Sequence, residues 1–505
     1  MDFGRSRDII SGLPDSLLCH ILSFLNTKEA ASTSVLAKKW RYLFASVPNL
    51  DFDDSVHLRL GKRNPAVSGE DYLKMINERS DQLSTSFMDF VDQVLRLQDN
   101  SPLHKFSLKI RDCVDIVRII CWILKVLERG VSDLELDMHL KWKSSLPSKI
   151  FLSETLVRLK LSVERGPFID VEDVHLPKLK TLHIVSVKFE KHGIGLNKLL
   201  SGCHILEELN LEYISWCLWD FVSVSLTTLK RLTFCGEVMQ DENPISVSFN
   251  TPNLVYLMFT DAIADEYSTV NFDSLVEAHI NLQMSEDQVE QTRFSDSEGN
   301  MEGCMVANAT ELIMGICNVK ILYLSVYTLE VLTYCCEAIP LFNNLTHLTI
   351  ESNSEVGWES VSGLLKNSPN LETLVFKGLV HRFTDKCGDM CLCKPWEEDE
   401  EEEEDEETPT CLSSCPVKVL KILEFGKIYD DEIEKRIDQV KHFLEKIPDI
   451  EQLILHYNTP VDEDVIKVYQ QLRRHPKVAS SKCKLQLISD NLSLSSKDCA
   501  LFGID

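Results

Sequence analysis

The side chains best suited to chemistry crowd one stretch, Asp385 to Cys415, which reads DKCGDMCLCKPWEEDEEEEEDEETPTCLSSC. Cys387, Cys391, Cys393, Cys411 and Cys415 offer thiolates, the ligands of structural zinc. Two C-x-x-x-C pairs bracket a loop, but a structural zinc hairpin is usually C-x-x-C, and both Cys393 and the acidic insert fit it poorly. These cysteines are therefore expected to pack without a ligand, and no metal is assigned. Enzyme signatures are missing as well. There is no G-x-x-x-x-G-K-[ST], H-E-x-x-H, G-x-S-x-G or C-x-x-C, and Gly193-Ile-Gly195 lacks the third glycine and strand context of a dinucleotide site. The 14 histidines are scattered, where a lone imidazole is more often surface or satisfied core than catalyst. No catalytic residue and no cofactor are assigned. Binding, not catalysis, is the expected activity.

Composition narrows the binding partners. The 505 residues are 44% hydrophobic and 26% charged, a globular balance with room for about three domains. Acidic residues outnumber basic ones 79 to 52, for a formal charge of −27. Nucleic acids and anionic membranes draw their affinity from cations, so neither is an expected partner. The opening MDFGRSRDII has no apolar export core, and Ile116 to Leu127 is interrupted by Arg118 and Lys125 and too short to span a bilayer. Most of the 17 cysteines, such as Cys113, Cys121, Cys203 and Cys235, sit singly among apolar neighbours, as in a reducing compartment. A soluble, intracellular protein of the nucleus or cytoplasm is expected.

From Asp8 to Leu50 the pattern is helical. Pro14 suits a first turn, Leu17, Leu18, Ile21, Leu22 and Leu25 form a stripe, and Thr27 is placed to cap a second short helix. A third helix is expected to carry Val35, Leu36, Trp40 and Leu43. About forty residues cannot hide so many large apolar side chains, so some should stay exposed for a partner. The ordered string Leu13-Pro14-x-x-Leu17, Ile21-Leu22-x-x-Leu25, Ser34-Val35-Leu36-x-Lys38-x-Trp40-Arg41 resembles an F-box, and more narrowly that of plant F-box/leucine-rich-repeat proteins. The resemblance implies docking on the adaptor Skp1, and through it on a cullin. It assigns Leu13, Pro14, Leu17, Ile21, Leu22, Val35, Leu36 and Trp40 to the adaptor-facing or core-defining positions.

The middle of the chain repeats itself. The pattern L-x-x-L-x-L, with conservative swaps, begins at Leu103, Val131, Leu156, Leu179, Leu206, Leu229, Leu254, Leu275, Val319, Leu345 and Leu371. Most steps are about 21 to 28 residues, within the range of leucine-rich repeats. The fold class is α/β: a small three-helix unit, then a solenoid with a parallel concave sheet whose units return as helix or irregular chain. Residues flanking the inward leucines should point into the groove. Arg158, Lys160, His183, Arg231, Tyr256 and Tyr323 are the candidate contacts for an unknown protein substrate, with Thr181, Glu208, Asn210, Thr233, Met258, Glu277, His279, Ile321, His347 and Thr349 beside them. This mixed, partly aromatic groove suits a protein or peptide.

Glu397 to Glu407 is uniformly acidic and should be a disordered insertion. Beyond it LKILEF at Leu420 and IEQLIL at Ile450 resume the strand pattern, with an amphipathic helix between them carried by Ile433, Ile437, Val440, Phe443 and Leu444. The piece resembles the FBD domain at the C-terminus of many plant F-box proteins. The expected division is an F-box over 5–50, a connecting segment over 51–100, repeats over 101–385, the insertion over 386–410, the FBD domain over 411–490 and a tail over 491–505. As a whole, the resemblance implies the substrate-recognition subunit of a Skp1–cullin–F-box ubiquitin ligase, with no catalysis of its own. A Skp1-bound binding protein without ligase function, or a small-molecule hormone co-receptor, is the alternative.

Overall fold

The computed structural model describes residues 10–40, 43–54, 85–98, 101–111, 115–139, 146–164, 171, 173–187, 194–214, 221–236, 244–289, 307–384, 386–392, 410–426, 433–459 and 461–495. The chain divides into two compact units, 1–222 and 223–505.

The first unit opens with helices α1 (Asp15–Leu22) and α2 (Thr27–Ser32). Leu18, Leu22, Ala30, Trp40, Leu43 and Val47 form a small core, and Leu13, Cys19, Ala37 and Phe44 pack against it. The expected third α-helix is instead a pair of short 3-10 turns, Thr33–Val35 and Leu43–Ser46. Hydroxyls account for the tighter path: Ser32 Oγ donates to Lys28 O at 2.8 Å and Thr33 Oγ1 to Ala30 O at 2.7 Å, competing with continued α-helical pairing. The cap of α2 is Asn26, not Thr27. Its Oδ1 accepts from Glu29 N at 2.8 Å, whereas Thr27 Oγ1 accepts from Asp51 N at 2.7 Å and fastens α2 to the first strand.

That strand, β1 (Asn49–Asp53), starts a parallel sheet continued by β2 (Lys105–Ile110), β3 (Asp133–His139), β4 (Arg158–Glu164), β5 (Thr181–Val185) and β6 (Glu208–Ile214). Every strand from β2 to β6 begins two residues after the first apolar residue of its sequence repeat. The register stacks like on like, Leu134 on Leu159, Leu182 and Leu209, all fully buried. A strand has a side-chain period of 2, so the leucines fill one face and the residues between them line the other. Residues 85–97 are helical, and this helix is tied to the helix Ile116–Glu128. Trp122 Nε1 donates to Asp92 Oδ1 at 2.6 Å, and Arg118 pairs with Asp92 and with Asp89 at 2.8 Å.

Strand β7 (Phe221–Ser225) lies at the division between the units. The second unit repeats the same register through β8 (Arg231–Gly236), β10 (Tyr256–Ala262), β12 (Glu277–Gln283), β13 (Ile321–Leu324), β14 (His347–Glu351), β15 (Thr373–Lys377), β16 (Val419–Leu423), β17 (Gln452–His456) and β18 (Lys484–Ile488). Strand β19 (Ser493–Ser495) closes the series antiparallel to β18. Here part of the return chain is itself extended: β9 (Ser246–Asn250) pairs in parallel with β11 (Glu266–Asn271). The sequence SVSFN alternates with period 2 and buries Val247 and Phe249, and the Phe249 ring meets Phe259 at 5.3 Å. Elsewhere the returns are helices such as Thr310–Gly315, Val326–Tyr334, Glu359–Lys366 and Ile433–Lys446. The acidic run 397–407 lies outside the described residues.

Candidate binding surfaces

The N-terminal unit splits its apolar residues cleanly between inside and outside. Leu22 is fully buried and Trp40 is 6% exposed, so both of these predicted contact residues belong to the core rather than to a docking face. Trp40 Nε1 donates to Ser11 Oγ at 2.9 Å, and Lys39 Nζ donates to Ser11 O and Leu13 O while pairing with Asp15 at 3.2 Å. Those bonds fasten the Leu13-Pro14 segment, leaving Leu13 half-buried and Pro14 exposed. Leu17, Ile21, Val35 and Leu36 face outward, Val35 at 85% and Leu36 at 69% exposure. Phe24, 76% exposed and edge-on to His20 at 5.0 Å, joins them. The sequence reading missed it, although its place three residues after Ile21 was the available signal. So many large apolar side chains on so small a unit mark a surface built to be covered.

On the first unit's sheet, the face opposite the leucines carries a row of paired charges. Glu135, Lys160, His183 and Asn210 are register neighbours on β3 to β6. Lys160 Nζ donates to Glu135 Oε1 at 2.9 Å, and Lys105 approaches Glu135 Oε2 at 3.7 Å. Burial pushes the Glu135 carboxyl up, but the two lysines outweigh it and hold the group below the ordinary carboxylate range. His183 Nε2 lies 3.2 Å from Glu212 Oε1, which also accepts from Asn210 Nδ2 at 2.9 Å. Burial lowers the His183 pKa despite that carboxylate. Arg158 is exposed, in register with Asp133 and Thr181. Glu135 and Glu212, partners of the predicted contacts, were not singled out from the sequence. For Glu135 the signal is an acidic residue in register with Lys160 one strand away, and for Glu212 an acidic residue two positions beyond Asn210, the register partner of His183.

The second unit's open face is aromatic. Arg231 sits over the Tyr256 ring at 4.0 Å, the Tyr256 and His279 rings are 5.5 Å apart, and His279 stacks on Tyr323 at 5.3 Å. His279 Nε2 is 2.7 Å from Glu277 Oε1. Burial, and then a hydrogen bond to Glu351, push the Tyr323 phenol well above its ordinary value, so it remains a donor. Lys377 Nζ donates to Glu351 Oε1 at 2.5 Å. The structure thus brings Arg231, Tyr256 and Tyr323 into one ladder, with His279 as the joining ring.

Among the described residues, one group could hold a metal: His381, Cys387 and Cys391 bring ligating atoms within 4.8 Å of one another. Cys411 and Cys415 are not part of it, and Cys393 lies outside the described residues. Among the described residues no helix is long and apolar enough to cross a membrane.

The F-box domain family matches residues 10–52, and the family "FBD-associated F-box protein At5g56370, LRR repeats" matches residues 120–326. F-box/LRR-repeat protein At4g14096 of Arabidopsis thaliana is 61% identical over 98% of this chain and 98% of its own. F-box/LRR-repeat protein At3g59210 of the same plant is 53% identical over 97% of this chain and 96% of its own, and At3g59200 is 53% identical over 98% and 91%. Matched nearly end to end by relatives that share most of its residues, the chain belongs to the F-box/LRR-repeat protein family.

Proposed function

We propose that this protein is the substrate-recognition subunit of a Skp1–cullin–F-box ubiquitin ligase, acting in the nucleus or cytoplasm. The observation that carries the reading is the outward apolar set Leu17, Ile21, Phe24, Val35 and Leu36 on a unit whose core is already closed by Leu18, Leu22 and Trp40. A Skp1-like adaptor covers that face, and the adaptor in turn ties the protein to a cullin. The repeat sheets hold a protein target near the conjugating enzyme, so the contribution to ubiquitin transfer is proximity, with the chemistry done by other subunits.

The small-molecule co-receptor reading needs cations waiting in a pocket. Lys160 is instead engaged by Glu135, and Arg231 is spent on the Tyr256 face, which favours a protein target. The test is reconstitution: the full chain is mixed with a Skp1-like adaptor and a cullin, and complex formation is followed by gel filtration. A folded chain that does not co-elute with the adaptor overturns the proposal.

A further inference from the structure

We propose that, in the reduced protein, His381, Cys387 and Cys391 form a structural zinc site in the segment between β15 and β16. The three residues come from one short stretch of chain. After β15 the backbone turns away at Gly378, whose φ of +88 and 2.9 Å approach of a would-be Cβ to Ser352 O favour glycine. Three residues later His381 stacks on Trp358, ring centroids 4.1 Å apart and planes 14° from parallel. Trp358 is fully buried and itself anchored by its Nε1 bond to Ser352 Oγ at 2.9 Å. His381 Nδ1 faces Leu379 O at 3.4 Å, and a proton placed there selects the tautomer that offers Nε2 as a ligand. The 3-10 turn Gly388–Met390 then carries the chain from Cys387 to Cys391 and puts both sulfurs, 2% and 8% exposed, beside that ring.

The scaffold around the group is built rather than incidental. Gln439 donates to Met390 O at 2.8 Å and accepts from Leu392 N at 3.1 Å, and His442 Nε2 lies 2.7 Å from Asp389 O. Asp389 accepts from Cys411 N at 3.1 Å, from Leu412 N at 3.0 Å and from Cys411 Sγ at 2.8 Å. The last bond occupies Cys411 and explains why the second C-x-x-x-C pair does not contribute. The sequence alone assigns no metal to these cysteines; the group the fold assembles is one cysteine pair and a histidine.

Ligand chemistry selects the ion. Two thiolates and a neutral imidazole suit zinc, and two negative sulfurs on a divalent cation leave a buried site without net charge. A tetrahedral zinc with sulfur bonds of about 2.3 Å sets ligand atoms roughly 3.8 Å apart. The group spans 4.8 Å at most, so closing on the ion takes a movement of about 1 Å. One position of the tetrahedron is left for a further donor.

Cys391 is disulfide-bonded in the structure, so zinc binding requires that bond to be reduced first. A dithiol reductant supplies the two electrons and two protons, becoming a disulfide itself as two cysteine thiols form. Zinc then displaces one proton each from Cys387 and Cys391. The bound ion would clamp the segment leaving β15 before the chain rejoins the sheet at β16.

The experiment uses the full chain purified under a phosphine reductant without chelator. Metal content is measured by atomic emission, and cobalt(II) serves as the spectroscopic probe. One zinc per chain is expected, together with thiolate-to-cobalt absorption. Cys387→Ser and His381→Asn should bring zinc to background, while Cys411→Ser should leave it unchanged. A second arm needs no variant: in wild type, zinc should protect Cys387 and Cys391 from alkylation, read by peptide mass. Background zinc in reduced, folded wild type overturns the site. So does zinc loss in Cys411→Ser, or equal alkylation of both cysteines with and without zinc.

Discussion

The imidazole of His279 lies stacked on the ring of Tyr323, centroids 5.3 Å apart, although a long return segment separates their strands in the chain. Parallel register alone accomplishes this, since His279 on β12 is paired with Tyr323 on β13 and Met258 on β10 takes the position before them. Stacked rings lose little side-chain entropy on binding, which is why such ladders serve as anchors for protein ligands.

If that ladder receives the target, Tyr323→Ala and Arg231→Ala should each reduce target capture by roughly tenfold, on hot-spot costs of about 1–3 kcal/mol. Both variants should keep wild-type adaptor binding. Quantitative capture in the presence of proteasome and neddylation inhibitors reads the effect, and unchanged capture by both variants removes the ladder from the recognition surface.

Two substitutions in the N-terminal unit should separate docking from folding. Leu36 is largely exposed, so Leu36→Lys should cost within about 0.5 kcal/mol of stability. It should nevertheless weaken adaptor binding roughly tenfold or more. Trp40→Ala empties the core and should cost about 3–5 kcal/mol. Its binding defect should therefore track its unfolding. Calorimetry run beside a pull-down distinguishes the two, and equal loss of melting temperature in both variants contradicts the assignment of inside and outside.

His183 gives a pH dependence of definite sign. Its folded pKa is lowered by burial, with Lys160 adding to the effect and Glu212 and Glu135 opposing it. As pH falls through about 6.5 the unfolded chain takes up a proton that folded His183 refuses, so stability falls with pH. The loss ends once the folded ring also protonates. His381 and His475 are shifted the same way, so His183→Asn should flatten the stability curve below pH ~6.5 without abolishing its slope. Melting temperatures across that range test it, and a variant curve parallel to wild type rules His183 out as a source.

What was legible in the sequence was whatever repeats. Leu156, Leu179 and Leu206 mark strands because each inward leucine needs the next to bury it, and a one-residue slip would turn a whole strand inside out. The return segments obey no such constraint. SVSFN became strand β9 where a helix or irregular chain was expected, because Val247 and Phe249 alternate while the surrounding turns conceal so short a period. Asn26 and Thr27 are both competent caps, and only the strand at Asp51 decides that Thr27 serves another partner. Leu22 and Trp40 look like docking residues for a similar reason. Pattern reports that they are apolar, whereas which side of a three-turn unit they occupy depends on its packing. His381 was invisible as a ligand because its contact with Cys387 and Cys391 rests on Trp358 and on a turn, neither of which has a spacing signature.

The acidic run Glu397 to Glu407 should be removable. It lies outside the described residues, but the chain on either side of it is well tied. Strand β16 pairs with β15 residue for residue, Thr373 with Val419 through Lys377 with Leu423. Asp389, before the run, holds Cys411 N and Leu412 N after it, so the two ends are already drawn together by bonds that do not involve the acidic residues. A long insertion adds little closure cost, about 0.6 kcal/mol for each doubling of its length. Replacing 397–407 with a short Gly/Ser linker should therefore shift the melting temperature by no more than about 4 °C. A glutamate-specific protease should cut first within the run, and the two fragments should still co-elute on gel filtration, because β15 and β16 remain paired. Fragments that separate after the cut would show that the sheet does not hold across the insertion and that the C-terminal part folds by itself.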